Sequence, residues 1–222
     1  MPFFHRRLCV ILVVYIDSDL SMHTRPAVCR RLLCSSTLRP LRSIRRDVPS
    51  SVYQSLVIAL VLSRLDYGNA TLADLRACLL NRLQSVLSAA AGSIAGLRCS
   101  KHIADALTGF LWLRVPERIK FKLAITVYRA LHVTAPQYLS DRLQYVADLP
   151  RTRQGRLRWS TSSLLDVRSS RLVTVGDRSL AAAGPRLWNS LPADVQSAPS
   201  LTTFRKKLKT HLFWQSYRDI VL

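Results

Sequence analysis

At 222 residues, of which 49% are hydrophobic, the chain has enough material for one domain or two small ones with a substantial core, which argues against a disordered chain. Its 33 Lys and Arg against 13 Asp and Glu give a net charge of +20, most of it arginine. That balance favours a polyanionic partner, RNA or DNA ahead of an anionic membrane surface, because each neutralised phosphate releases condensed counterions.

The cysteines Cys9, Cys29, Cys34, Cys78 and Cys99 are odd in number and form no C-x-x-C pair, which argues against a disulfide framework and a zinc ribbon and fits a reducing intracellular compartment, cytoplasmic or nuclear. The five histidines are scattered, and no two stand at a metal-ligand spacing. Neither a metal nor a cofactor is expected, and no small-molecule substrate is.

In chain order, "HRRLCVILVVYI" places basic residues before an apolar run and so imitates a signal peptide. The run is too short to span a bilayer, Asp17 and Asp19 follow it, and no small-x-small cleavage site appears. Val10 to Ile16 is rich in β-branched residues and has the length of a buried strand, so a short N-terminal β-strand is expected there and a membrane role is not. A loop and a basic helical segment interrupted at Pro40 follow, crowded with Arg30, Arg31, Arg39, Arg42, Arg45 and Arg46. Pro49 and Ser50 open a helix whose centre, Leu56 to Leu62, is apolar on every side and therefore expected to be buried over most of its surface, with Gly68 and Asn69 as its stop.

A second helix is expected from about Ala73 to Ile94, its core stripe made by Leu79, Leu83, Val86, Ala90 and Ile94. Lys101 to Phe110 adds a short helix. The best-marked helix begins near Pro116 and Glu117 and buries Ile119, Leu123, Val127 and Leu131. Its Arg118, Lys122 and Arg129 form either a face that tracks a phosphate backbone or a solvated surface. "TAPQYLSDRLQYV" reads as a further helix started by proline.

From 149 onward the character changes. Arg151, Arg153, Arg156, Arg158 and Arg168 mix with Trp159 and a Ser/Thr cluster, where the arginines offer bidentate phosphate contacts and the tryptophan a surface for a base. The alternative is an extended linker whose tryptophan packs inward. "GDRSLAAAGPRLWNSLP" is expected to be a short helix ended by Gly184, a turn at Pro185, and Trp188 packing back with Leu187 and Leu191. Ser200 then caps a helix with a buried stripe of Leu201, Phe204, Leu208 and Leu212 and a cationic remainder of Arg205, Lys206, Lys207 and Lys209.

Four phrases carry a resemblance: "LRSIRRDVPSSVYQSLVIALVLSRLDYGNATLADL", "LLNRLQSVLSAAAGSI", "HIADALTGFLWLRVPERIKFKLAITVYRALHVTAPQYLSD" and "VGDRSLAAAGPRLWNSLPADVQSAPSLTTFRKKLKTHLF". Together, and in this order, they resemble the C-terminal region of the reverse transcriptase of LINE-type non-LTR retrotransposons, over roughly Val14 to Tyr217. The resemblance implies a mainly α fold: a leftover strand and loop after the palm at 1–20, a helical thumb-like domain at 21–148, a less ordered basic linker at 149–173, and a C-terminal tryptophan and basic-helix motif at 174–222. It also implies a fragment without polymerase activity, since the family's F/Y-A-D-D metal-binding motif and its N-terminal endonuclease are absent from these residues, and Asp17 and Asp19 fall after the palm rather than in the catalytic hairpin. Gly92 and Ser93, where the family reads alanine-arginine-leucine, lower helix propensity, and Val133 and Thr134 stand where it often has glycine and leucine. RNA or DNA is the expected partner, met through Arg42, Arg45, Arg46, Arg118, Lys122, Arg151, Arg153, Arg156, Arg158, Trp159, Arg205, Lys206, Lys207 and Lys209. The other reading is an adaptor that docks on a protein through the helices around Trp188 and Phe204.

Overall fold

The computed structural model describes residues 8–11, 14–17, 32–67, 69–97, 103–148, 164–168 and 176–218, and the protein is mainly helical. Two compact units divide the chain: Met1–Asn69, Leu75–Arg118 and Phe213–Leu222 form the first, Ala70–Asp74 and Ile119–Leu212 the second.

In the first unit, strands β1 (Leu8–Ile11) and β2 (Val14–Asp17) pair antiparallel, with Leu8 opposite Asp17. The strand expected over Val10–Ile16 has its centre, residues 12–13, outside the described residues. A π-helical stretch (Leu32–Leu38) runs into α1 (Arg39–Ser43). Pro40 was expected to interrupt this helical segment. The helical segment instead continues through Pro40, at the start of α1, where the π-helical turns give way to α.

Helix α2 (Ser50–Val57), a π-helical turn (Ile58–Leu62) and α3 (Ser63–Asp66) follow one another without a break. Tyr53, Val57, Val61 and Leu65 are all buried. A four-residue spacing runs ahead of an α-helix with about 3.6 residues per turn, and the wider π turn brings that row back into phase. The expectation of burial on most sides is corrected here: Val52, Ile58 and Leu60 are exposed, so the apolar run buries one face only.

Helix α4 (Ala77–Ala95) presents Leu79, Leu83, Val86 and Ala90 to the core and packs against α2 and the π-helical stretch before α1. Gly92 and Ser93 do more than dilute helix propensity. A Cβ at Gly92 would meet Ile103 Cδ1 at 3.0 Å, and the buried Ser93 hydroxyl hydrogen-bonds the Tyr53 hydroxyl, satisfying two polar groups the core would otherwise strand. Gly96, at φ +73°, ends the helix, and Leu97 N–H reaches back to Gly92 O at 3.0 Å. Helix α5 (Ile103–Gly109) is packed on α4.

Helix α6 (Val115–Leu131) starts in the first unit, where Gln84 Oε1 accepts the otherwise orphaned Val115 N–H at 2.9 Å. The Asp66 carboxylate receives Arg118 Nε at 2.8 Å and Arg118 Nη2, and also Asn69 Nδ2 at 3.1 Å. Asn69 therefore does more than stop a helix: it is buried and helps hold that carboxylate. Tyr217, buried as well, donates to Trp112 O at 2.6 Å under the Arg114 guanidinium, which lies 5.0 Å from the ring centroid. Burial pushes its hydroxyl up to about 12 against the opposing pull of Arg114.

The second unit takes α6 from Ile119 onward, and Leu123 and Val127 are buried there with Ile119. The helix ends in a Schellman motif: Thr134 N–H reaches Arg129 O at 2.9 Å, and Val133 N–H reaches Ala130 O at 3.4 Å. Its left-handed position is occupied by Val133, at φ +54° and almost fully exposed, a conformation that a β-branched residue adopts at a cost. Val133→Gly is expected to stabilise the protein by about 1 kcal/mol, read as a higher denaturant midpoint at unchanged slope. A midpoint that stays put or falls would show that the αL strain is not there.

Only one turn of the helix expected after Pro136 forms, α7 (Gln137–Ser140), because the chain then brings Leu143 into the core and pairs Tyr145 with Leu165. Asn189 clamps that passing segment from the other side, its Oδ1 accepting Leu165 N–H and its Nδ2 donating to Leu165 O, both at 2.9 Å. Of the basic stretch 149–173, only Leu164–Arg168 lies among the described residues.

Helix α8 (Leu180–Asn189) corrects another expectation, since Gly184 does not end it and Pro185 is inside it. Gly184 permits close approach instead: a Cβ there would stand 3.0 Å from Val127 Cγ2 and 3.3 Å from Leu180 Cδ1. Pro185, the sixth of ten residues, removes the backbone hydrogen bond that an N–H there would make to Ala181 O, and it is buried. After α9 (Ala193–Gln196), Ser200 caps α10 (Leu201–Ser216), its Oγ accepting Thr203 N–H at 3.2 Å. Phe204, Leu208 and Leu212 are buried as expected, while Leu201, expected with them, is half-buried at the start of the helix. Phe204 stacks on Tyr128 with ring centroids 4.4 Å apart and lies 5.9 Å from Trp188, while the Tyr128 hydroxyl donates to Ala198 O at 3.0 Å.

Candidate nucleic-acid interface

In the first unit the short α1 and the turn of 3-10 helix after it (Ile44–Arg46) expose Arg39, Arg42, Arg45 and Arg46. Two of them already have a partner. Arg42 Nη2 lies 3.5 Å from Ala89 O, within α4, and Arg45 Nη2 lies 3.4 Å from Ile94 O, so the Arg45 guanidinium alone sits in the last turn, at the negative end of the α4 dipole. Gly96 makes room for this arrangement, because a Cβ there would collide with Arg45 Nη2. The arginines therefore serve the fold through one nitrogen and keep the rest of each fork on the surface, where a phosphate can be met bidentately.

Arg118 is differently placed. Its Nε and Nη2 both go to Asp66, and its side chain is only 16% exposed, so a phosphate would have to displace a carboxylate to reach it. Lys122 and Arg129 are exposed.

In the second unit, α10 supplies Arg205, Lys206, Lys207 and Lys209, all exposed. With about 3.6 residues per turn, Arg205, Lys206 and Lys209 fall on one flank of the buried Phe204–Leu208–Leu212 stripe, and Lys207 falls on the other. Lys207 Nζ donates to Asp194 O at 2.8 Å, which ties it to α9. The three cations on the first flank form the denser cluster. No acidic residue occurs between Leu201 and Arg218, so nothing on this helix competes with a phosphate for them.

Arg151, Arg153, Arg156, Arg158 and Trp159 lie outside the described residues. Trp188 and Phe204, which the adaptor reading assigned to partner docking, are 3% and 0% exposed and belong to the core of the second unit. Sequence reasoning missed the one exposed tryptophan among the described residues, Trp214, at 52% exposure. The signal was available in the helical phase: Trp214 follows the Phe204–Leu208–Leu212 row by two residues and so turns away from it.

Among the described residues no group of three His, Cys, Asp or Glu side chains is placed to hold a metal ion, and no helix is long and apolar enough to cross a membrane. No family model, no curated protein and no solved structure matches the chain.

Proposed function

We propose that this chain is a nucleic-acid-binding, non-catalytic helical region of the kind that follows the palm in a non-LTR retrotransposon reverse transcriptase, acting in the cytoplasm or nucleus. The observation that supports this reading best is the flank of α10, where Arg205, Lys206 and Lys209 gather on a helix without a single acidic side chain. Cations on a capped helix meet phosphates from a backbone that is already ordered. The resemblance of four phrases to the reverse transcriptase family favours RNA or DNA over another polyanion. Arg39, Arg42, Arg45 and Arg46 provide a second cationic surface in the other unit.

The test is fluorescence anisotropy of the full chain with a structured RNA, a single-stranded DNA and a duplex DNA, each titrated across a salt series. The triple variant Arg205→Ala, Lys206→Ala, Lys209→Ala is expected to lower the slope of log affinity against log salt by roughly 2 to 3, about 0.7 to 0.9 for each phosphate that is no longer neutralised. An unchanged slope would remove α10 from the interface, and failure of the parent chain to bind any of the three ligands would end the reading. Magnesium-dependent nucleotide incorporation by the purified chain would overturn its non-catalytic part.

A further inference from the structure

Trp214 belongs to the first unit, in the last turn of α10, and stands on a stretch of backbone that its chain neighbours anchor. The residues on either side of it turn inward. Phe213 is half-buried with its ring 4.9 Å from Tyr217, Ser216 is buried, and Tyr217 is anchored by its hydrogen bond to Trp112 O and by Arg114 over its ring. An indole carried outward on such a base needs no ordering of the backbone beneath it when a ligand binds. Trp112 and Trp188, by contrast, are buried.

The chemistry of the neighbourhood narrows what that indole can receive. Arg218, four residues on, is exposed, and no acidic residue lies between Trp214 and Arg218. A partner protein's cationic or neutral surface would gain little there. A ligand with a flat π face on a polyanionic backbone matches both features at once, since the indole stacks on the base and the guanidinium meets the phosphate. We propose that Trp214 is a stacking platform for an unpaired base of a single-stranded nucleic acid, with Arg218 meeting the adjoining phosphate. This rests on the nucleic-acid reading above and deepens it: a duplex keeps its bases stacked on one another, so the platform selects single strands.

The experiment compares the full chain with its Trp214→Ala and Trp214→Phe variants, binding an oligouridylate single strand and a duplex DNA across the same salt series. Trp214→Ala is expected to weaken single-strand binding roughly 5- to 100-fold, with its salt slope and its duplex affinity unchanged. Trp214→Phe, which keeps a ring, is expected to retain most of the affinity. Equal binding of the single strand by the parent and Trp214→Ala overturns the platform while leaving the nucleic-acid reading intact. Parallel losses on single strand and duplex overturn it too, because stacking on an unpaired base cannot act on a duplex. Absence of all binding by the parent removes the reading and the platform together.

Discussion

Phe204→Ala is expected to destabilise the second unit by about 4 kcal/mol. Phe204 is fully buried and stacks on Tyr128 at 4.4 Å and beside Trp188 at 5.9 Å, both at 25° between ring planes. Its removal gives up the transfer free energy of the ring, leaves a cavity between two rigid aromatic neighbours that cannot collapse into it, and forfeits the offset-stacking contribution of about 1 kcal/mol per pair. Against a typical net stability of roughly 5 to 15 kcal/mol, such a loss takes the unit to the edge of unfolding. Denaturant unfolding followed by tryptophan emission measures it, Trp188 being in contact with the vacated site. A loss below about 1 kcal/mol would mean that this aromatic cluster does not organise the unit's core.

The aromatic cluster also shows what was legible in the sequence. The i, i+4, i+8 row of Phe204, Leu208 and Leu212 behind a serine cap could be read directly, because amphipathic periodicity and capping are local properties. So could the stripes Leu79–Leu83–Val86–Ala90 and Ile119–Leu123–Val127. Where reading failed, a tertiary partner outweighed a local rule. Gly184 looks like a helix stop until Val127 is seen 3.0 Å from where its Cβ would be, and Pro185 then has to continue the helix that Gly184 does not end. The apolar run Leu56–Leu62 looked buried all round because composition says nothing about how many neighbours a helix has, and only one of its faces is covered.

The candidate interface was legible in type and not in detail. That arginines and lysines cluster on α1 and α10 follows from the sequence. That Arg42 and Arg45 also reach backbone carbonyls of α4, Arg45 in its last turn, and that Arg118 is held by a carboxylate 52 positions away, depends on contacts between segments far apart in the chain. The same distinction separates two kinds of basic residue, which a count of charge cannot do. Lys206 and Lys209 lie on the open flank of α10, whereas Arg118 has given its charge to the fold.

That engagement sets the second large effect. Asp66→Ala is expected to cost the first unit about 2 to 3 kcal/mol, because it strands the Arg118 guanidinium and the buried Asn69 amide at once. The carboxylate and guanidinium side chains remain 22% and 16% exposed, so water screens the pair and the loss falls short of that for a fully buried ion pair. Arg118→Met leaves the carboxylate with the Asn69 amide and should cost less than Asp66→Ala. Once either partner is gone, removing the other has little left to break, so the double variant Asp66→Ala, Arg118→Met is expected to be more stable than the sum of the two single losses predicts, by about 1 to 2 kcal/mol. Urea unfolding of the four proteins in the cycle gives that coupling energy directly. Strict additivity would show that the two side chains meet without stabilising each other, and Arg118 would then be as free as Lys122 to leave for a phosphate; a coupling of the expected size keeps it in the fold and leaves phosphate contact to the arginines of α1 and the open flank of α10.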